Sequence, residues 1–159
     1  MTKLISKIEE IIKMPKVYHG KKSSGKEIQK AMEKLNIVFP EDYFEYLKNY
    51  GVISFYATEW TGLGIKGRLN VVEATLEERK LNPEFPKNLF VVENLAIEGI
   101  VIAADEQGQV YEIQGDKQNK ICDSLVEYLD ECIKRKKSTI VIVFKNEDLV
   151  RIGKQEIIL

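Results

Sequence analysis

At 159 residues, of which 44% are hydrophobic and 31% charged, the chain has the size and apolar content of one packed domain, with no Pro/Gly/Ser-rich linker dividing it. Met1 to Glu10 alternates charge with Leu4, Ile5 and Ile8, unlike a signal peptide. No segment approaches the ~18 uninterrupted apolar residues of a membrane helix, so neither leader nor membrane anchor is expected. A formal net charge of −1 speaks against nucleic acid as the main partner, yet it is unevenly spread: +5 over residues 1–36, −7 over 37–115 and +1 over 116–159.

Leu4, Ile5, Ile8, Ile11 and Ile12 form one apolar stripe of a first helix that ends before Pro15. A basic loop is expected from Lys16 to Lys22. Ser24 and Glu27 then make a capping box, and Ile28, Ala31, Met32 and Leu35 set the inner face of a second helix. The third helix has both ends written into it, with Pro40 at its start and Gly51 as a left-handed stop. Tyr43, Tyr46, Leu47 and Tyr50 recur between them at helical spacing.

Beyond Gly51 the period changes. Val52 to Tyr56, Glu59 to Gly64 and Asn70 to Val72 are short β-branched or aromatic runs broken by glycines, as in a meander of strands. Thr75 and Glu78 suggest a capping box for a short helix stopping near Asn82-Pro83. A second strand group is expected at Leu89 to Glu93, Gly99 to Ala104 and Gln109 to Ile113, with a hairpin at Asp105 to Gly108. Ser124 and Glu127 cap a last helix with Leu125, Val126, Leu129, Cys132 and Ile133 inward. Thr139 to Phe144 is an uncharged β-forming run that must pair, within its own sheet or by strand exchange in a homodimer. Asn146 to Asp148 is read as a turn, with strands at Leu149 to Ile152 and Glu156 to Leu159. The expected fold is α+β: an antiparallel β-sheet flanked by helices, covered on one face, in a single domain over 1–159 with a C-terminal strand extension over 138–159.

The inventory for chemistry is poor. His19 is the sole histidine, so a His-dependent triad or His-rich metal site is out of reach. Cys122 and Cys132, ten positions apart on an expected single helix, lie beyond disulfide reach, which points to a reduced, cytoplasmic setting and two small hydrophobes. Gly62 to Gly67 superficially suggests a phosphate loop but lacks the GxxxxGK[ST] spacing and introduces no expected helix. Its glycines read as strand bends. Asp105 and Glu106, on a hairpin tip, are expected to face water. Tyr18, Lys21, Lys22 and Lys26 form a small basic-aromatic cluster. Trp60 has two readings, core packing or an exposed anchor of an interface. No catalytic, cofactor-binding or metal-ligating residue is assigned.

Several segments in order carry a resemblance: Phe39-Pro40, Tyr43, Tyr46-Leu47 and Tyr50-Gly51; Gly62-Leu63; Asn70 to Arg79; Leu89 to Asn94; Gln109 to Glu112; and Asp123 to Leu129. Over about residues 24–135 the chain resembles the SUKH superfamily, the group of the yeast Smi/Knr cell-wall-synthesis regulators and many bacterial immunity proteins. The resemblance implies a non-enzymatic protein-binding domain. Its leading form is an immunity protein that binds and neutralises a basic toxin domain, often a nuclease, of a polymorphic toxin system. Charge agrees, because an acidic surface would steer and block a phosphate-seeking cleft. The expected contacts are Glu59, Trp60, Asp105, Glu106 and Glu112, on a monomer or homodimer without cofactor, nucleic acid or membrane. The alternatives are a regulatory scaffold of the cell-wall-regulator type and a small-ligand-binding or enzymatic domain.

Overall fold

A computed structural model describes residues 2–145, with side chains through residue 135. The chain divides into two compact units, Met1–Tyr128 and Leu129–Leu159, the boundary falling inside its last helix.

The first unit opens with α1 (Lys3–Ile11), whose N-cap Thr2 accepts from the Ile5 backbone N–H. Leu4, Ile5, Ile8 and Ile11 are buried, the stripe that the spacing predicts. Helix α2 (Gly25–Leu35) starts at the expected capping box: the Glu27 N–H donates to Ser24 Oγ at 3.1 Å and the Ser24 N–H to Glu27 Oε1 at 2.8 Å. Hydrogen bonding from the Ser24 backbone N–H, then from its side chain, holds the Glu27 carboxyl below its ordinary range. Helix α3 (Glu41–Asn49) runs between Pro40 and Gly51. Its Tyr43, Tyr46, Leu47 and Tyr50 face are all buried. Gly51 takes φ +73°, and a Cβ there would lie 2.1 Å from the Lys21 carbonyl oxygen, so both conformation and space require glycine.

Strands β1 (Val17–His19), β2 (Ile53–Phe55) and β3 (Thr58–Trp60) form an antiparallel three-stranded sheet in that order. The expected basic loop from Lys16 to Lys22 thus contains an edge strand. Pairing there satisfies the open edge of β2 through backbone groups, which no side-chain pattern announces. After β3, Asn70 to Val72 is not a strand. Asn70 is the N-cap of α4 (Val71–Leu81), its Oδ1 accepting from the Val72 and Glu73 N–H groups at 2.9 and 3.0 Å. Thr75 therefore lies inside the helix rather than capping it. The earlier cap wins because Asn is the stronger N-cap, and Thr75 Oγ1 instead accepts from the Val91 N–H.

Strands β4 (Phe90–Asn94), β5 (Val101–Ala104), β6 (Val110–Gln114) and β7 (Lys117–Cys122) form a four-stranded antiparallel sheet in chain order. The hairpin at Asp105 to Gly108 is as expected, with Gly108 at φ +86°. Strand β7 was invisible to periodicity, since Lys117 to Ile121 are all exposed. Every residue of β5, and β4 from Phe90 to Glu93, is buried, so both faces are covered there, not one. Val91, Val101, Ala103 and Ile113 pack with Phe85, Leu89 and Ala74 of α4 on one side. Phe90 meets Phe39 and Tyr43 on the other, at centroid separations of 4.9 and 4.7 Å.

Helix α5 (Leu125–Lys145) begins as expected, the Glu127 N–H donating to Ser124 Oγ. Two expectations fail here. Cys122 ends β7 and only Cys132 lies on α5, so the cysteines do not share a helix; both are buried and neither is in a disulfide. Thr139 to Phe144 continues the helix instead of forming a strand. Extending an existing helix by one residue is cheap, and the β-branched penalty of a few tenths of a kcal/mol per residue does not stop it. Strand pairing at 139–144, within the chain or between copies, therefore has no strand to act through. The turn at Asn146 and the strands after it lie outside the described residues. Within the second unit Leu129 and Cys132 are buried, Lys134 pairs with Glu131 at 3.2 Å, and Arg135 Nη2 donates to Cys132 Sγ.

Candidate functional site

Sequence patterning nominates acidic and aromatic residues of the central segment, and the fold sorts them by access. Trp60 is fully buried, stacked on Tyr128 at 5.9 Å and edge-on to Tyr46 at 5.7 Å. Its Nε1 has no hydrogen-bond partner. It is a core residue, not an interface anchor, because β3 turns its side chain into the aromatic layer beneath α3. Asp105 is also withdrawn from a partner, at 5% exposure. Its Oδ1 accepts from the Gln107 and Gln109 N–H groups at 3.0 and 2.9 Å, and its Oδ2 accepts from the Tyr111 hydroxyl at 3.0 Å. The carboxylate closes the hairpin from inside, the reverse of the solvated role expected for it.

Three of the expected contacts keep access. Glu106 is exposed, and its Oε2 accepts from the Val38 N–H at 3.2 Å. Glu112 on β6 and Glu59 on β3 are half-buried. Glu59 binds Arg68 at 2.8 Å, which raises the Arg68 pKa by hydrogen bond and charge. Glu112 lies across from Ile102, which lies across from Glu93, so Glu112 and Glu93 share one face of the sheet. Glu93 is buried at 3% exposure; its Oε1 accepts from the Tyr128 hydroxyl at 2.5 Å and its Oε2 from the Glu59 N–H at 3.2 Å. Thus Glu59 is tied through Glu93 to the face bearing Glu112, whereas Glu106 sits beside the α2–α3 connection.

Under these residues lies a hydrogen-bonded hub. Thr61 Oγ1 donates to the Val91 carbonyl at 2.8 Å and meets the Tyr43 hydroxyl at 2.9 Å. The Thr61 carbonyl accepts from Tyr46 at 2.8 Å, and the Tyr46 hydroxyl accepts from the Ile53 N–H at 3.1 Å. Burial pushes both tyrosine pKa values up, so both remain protonated donors. The buried tyrosines of α3 therefore fasten the helix to β2 at Ile53 and to Thr61 just after β3, and through Thr61 to β4.

Sequence reasoning missed one feature. Beside α4 lies a cleft of about 290 Å³, lined on its apolar side by Ala74, Leu81, Val91 and Val101. Glu73, Glu77, Glu78 and Arg68 line it too. Burial, with the Glu77 charge, raises the Glu78 pKa against a hydrogen bond with Asn82. The spacing of Glu73 and Glu77 was a signal, since positions i and i+4 are neighbours on one helix face, with Glu78 beside them.

The glycine loop before α4 needs a correction. Gly62 to Gly67 does lead into a helix, so that ground for rejecting a phosphate loop falls. The spacing argument stands, and the donors a phosphate would need are taken: the Gly67 N–H donates to Glu73 Oε1 at 3.2 Å, and Asn70 holds those of Val72 and Glu73. Gly62 serves close packing, since a Cβ there would lie 1.6 Å from the Gly51 carbonyl oxygen. The His19 Nδ1–H donates to the Gly20 carbonyl at 2.9 Å, and its ring lies edge-on to Tyr50. Among the described residues no group of three or more His, Cys, Asp or Glu is placed to hold a metal ion, and no helix is long and apolar enough to cross a membrane.

A search of curated proteins finds no match to the chain. The family model described as SUKH_5, SMI1-KNR4 cell-wall, matches residues 1–134. That span takes in α1 and β1, which the resemblance over 24–135 left outside. With the α+β fold in place and most of its length matched, the chain belongs to the SUKH_5, SMI1-KNR4 cell-wall family.

Proposed function

We propose that this chain is a non-enzymatic protein-binding domain whose partner is a basic toxin domain, and that it acts in the cytoplasm as an immunity protein by occluding that toxin's nucleic-acid cleft. One observation carries the reading. Of the thirteen acidic residues between 37 and 115, only Glu93 and Asp105 are buried, so the charge excess of the central segment is displayed at the surface. A displayed negative field speeds encounter with a basic cleft and competes with the phosphates it binds. Cys122 and Cys132, buried and outside any disulfide, suit a reducing compartment.

The test is co-expression with a candidate toxin encoded by a neighbouring gene. Growth rescue together with a stable complex on gel filtration is expected. Continued growth arrest in cells that contain the folded protein, with no complex, refutes the immunity role. A second reading, a regulatory scaffold, is favoured by the cell-wall description of the matched family. An isolated gene and co-purification with a cell-wall-synthesis regulator would support it over the first.

A further inference from the structure

The cleft beside α4 has the wrong size for a cofactor and a suitable one for a side chain. At about 290 Å³ it falls at the bottom of the range of pockets that enclose small molecules. Besides the buried Val91 and Val101, its lining includes the half-buried Ala74 and the exposed Leu81, an accessible apolar surface that suits an aliphatic stem and not a hydrated ion. Its rim carries three carboxylates, Glu73, Glu77 and Glu78, against one guanidinium. That guanidinium, Arg68, is already engaged by Glu59 at 2.8 Å. None of the three rim carboxylates forms an ion pair among the described residues.

We infer that this cleft receives an arginine side chain from a basic segment of the partner toxin, its stem along Ala74 and Leu81 and its guanidinium across Glu73 and Glu77. The assignment deepens the immunity reading and rests on it for the source of the arginine. Glu73 and Glu77 stand one helical turn apart on one face, a spacing of about 6 Å that a planar five-donor fork can bridge. A lysine offers a compact, strongly hydrated point charge and gains less from the apolar floor. Glu106, beside Val38, belongs to a different part of the surface and takes no part in this contact.

Two measurements test this. In the first, the isotope-labelled protein is titrated with acetyl-Gly-Arg-Gly-amide and, separately, with the lysine counterpart, and backbone amides are followed by NMR. Arginine-dependent shifts confined to Gly67–Leu81 and Asn94–Val101 are expected, with the lysine peptide weaker. In Glu73→Gln/Glu77→Gln, whose fold is checked by circular dichroism, affinity for the arginine peptide should fall about tenfold or more. Shifts spread over the whole acidic surface, shifts centred on Glu106, or equal response to both peptides overturn the assignment. In the second, wild type and the double variant are co-expressed with the toxin. Protection by wild type but not by the variant supports the cleft. Equal protection by both overturns the cleft and leaves the immunity reading standing. Absence of protection by wild type overturns the immunity reading, and with it the toxin as the source of the arginine.

Discussion

Replacing Trp60 by alanine separates a core role from a binding role. The side chain has no exposed surface and is held between the rings of Tyr46 and Tyr128. Removing a buried Trp costs ~3–5 kcal/mol, a range that includes its aromatic pairing of roughly 0.5–1.5 kcal/mol per ring. No hydrogen bond is lost, because Nε1 has no partner, which favours the lower half of the range. Trp60→Phe keeps a ring and should cost about 1–2 kcal/mol. Set against a total stability of roughly 5–15 kcal/mol, the alanine variant loses a large fraction, equivalent to a fall in Tm of about 6–20 °C. Urea unfolding should be followed by far-UV circular dichroism, since Trp60 is the only tryptophan and the variants have no indole emission. An alanine variant within about 0.5 kcal/mol of wild type that loses partner binding would refute core placement and restore Trp60 as a surface anchor.

Other consequences can be measured with the same unfolding assay. Thr61→Val keeps the shape but strips the hydroxyl from the Val91 carbonyl and from Tyr43; a loss of about 2–3 kcal/mol is expected, and a change below about 0.5 kcal/mol would dismiss the hub. Gly51→Ala meets both a positive φ and the Lys21 carbonyl at 2.1 Å, so destabilisation of at least about 2 kcal/mol should appear, and a neutral result would contradict the tight corner. Glu78 has a folded-state pKa raised mainly by burial. The native state therefore binds its proton more tightly than the unfolded chain, and this group's contribution to stability rises as pH falls from neutral through the folded pKa towards the unfolded one. Glu78→Gln should be more stable than wild type at neutral pH, with the gap closing below the ordinary glutamate range; a pH-independent difference would refute the linkage.

Helix ends and buried stripes were legible in the sequence because their causes are local. Ser24 with Glu27, and Gly51, act within one turn of the residues they cap. Tyr43, Tyr46 and Leu47 repeat at a spacing that any surface helix must obey. Elements held chiefly by backbone pairing left no such mark: β1 within a basic run, and β7 with five consecutive exposed residues. Rival local signals also need the whole chain for a decision. Asn70 and Thr75 each offered a helix start, and only the reach of Thr75 to Val91 shows how the second was used.

The sequence by itself determined the α+β class, the start of α2 and both ends of α3, the family resemblance and the acidic bias of the central segment. Tertiary structure decided which of that segment's side chains meet solvent. It buried Trp60 in the aromatic layer, turned Asp105 into its own hairpin, engaged Glu59 with Arg68 and set Glu73 and Glu77 on the rim of a cleft. The physical reason is that access depends on contacts between residues far apart in the chain. Charge and ring type are written at each position, but the neighbours that exclude water are supplied only by packing.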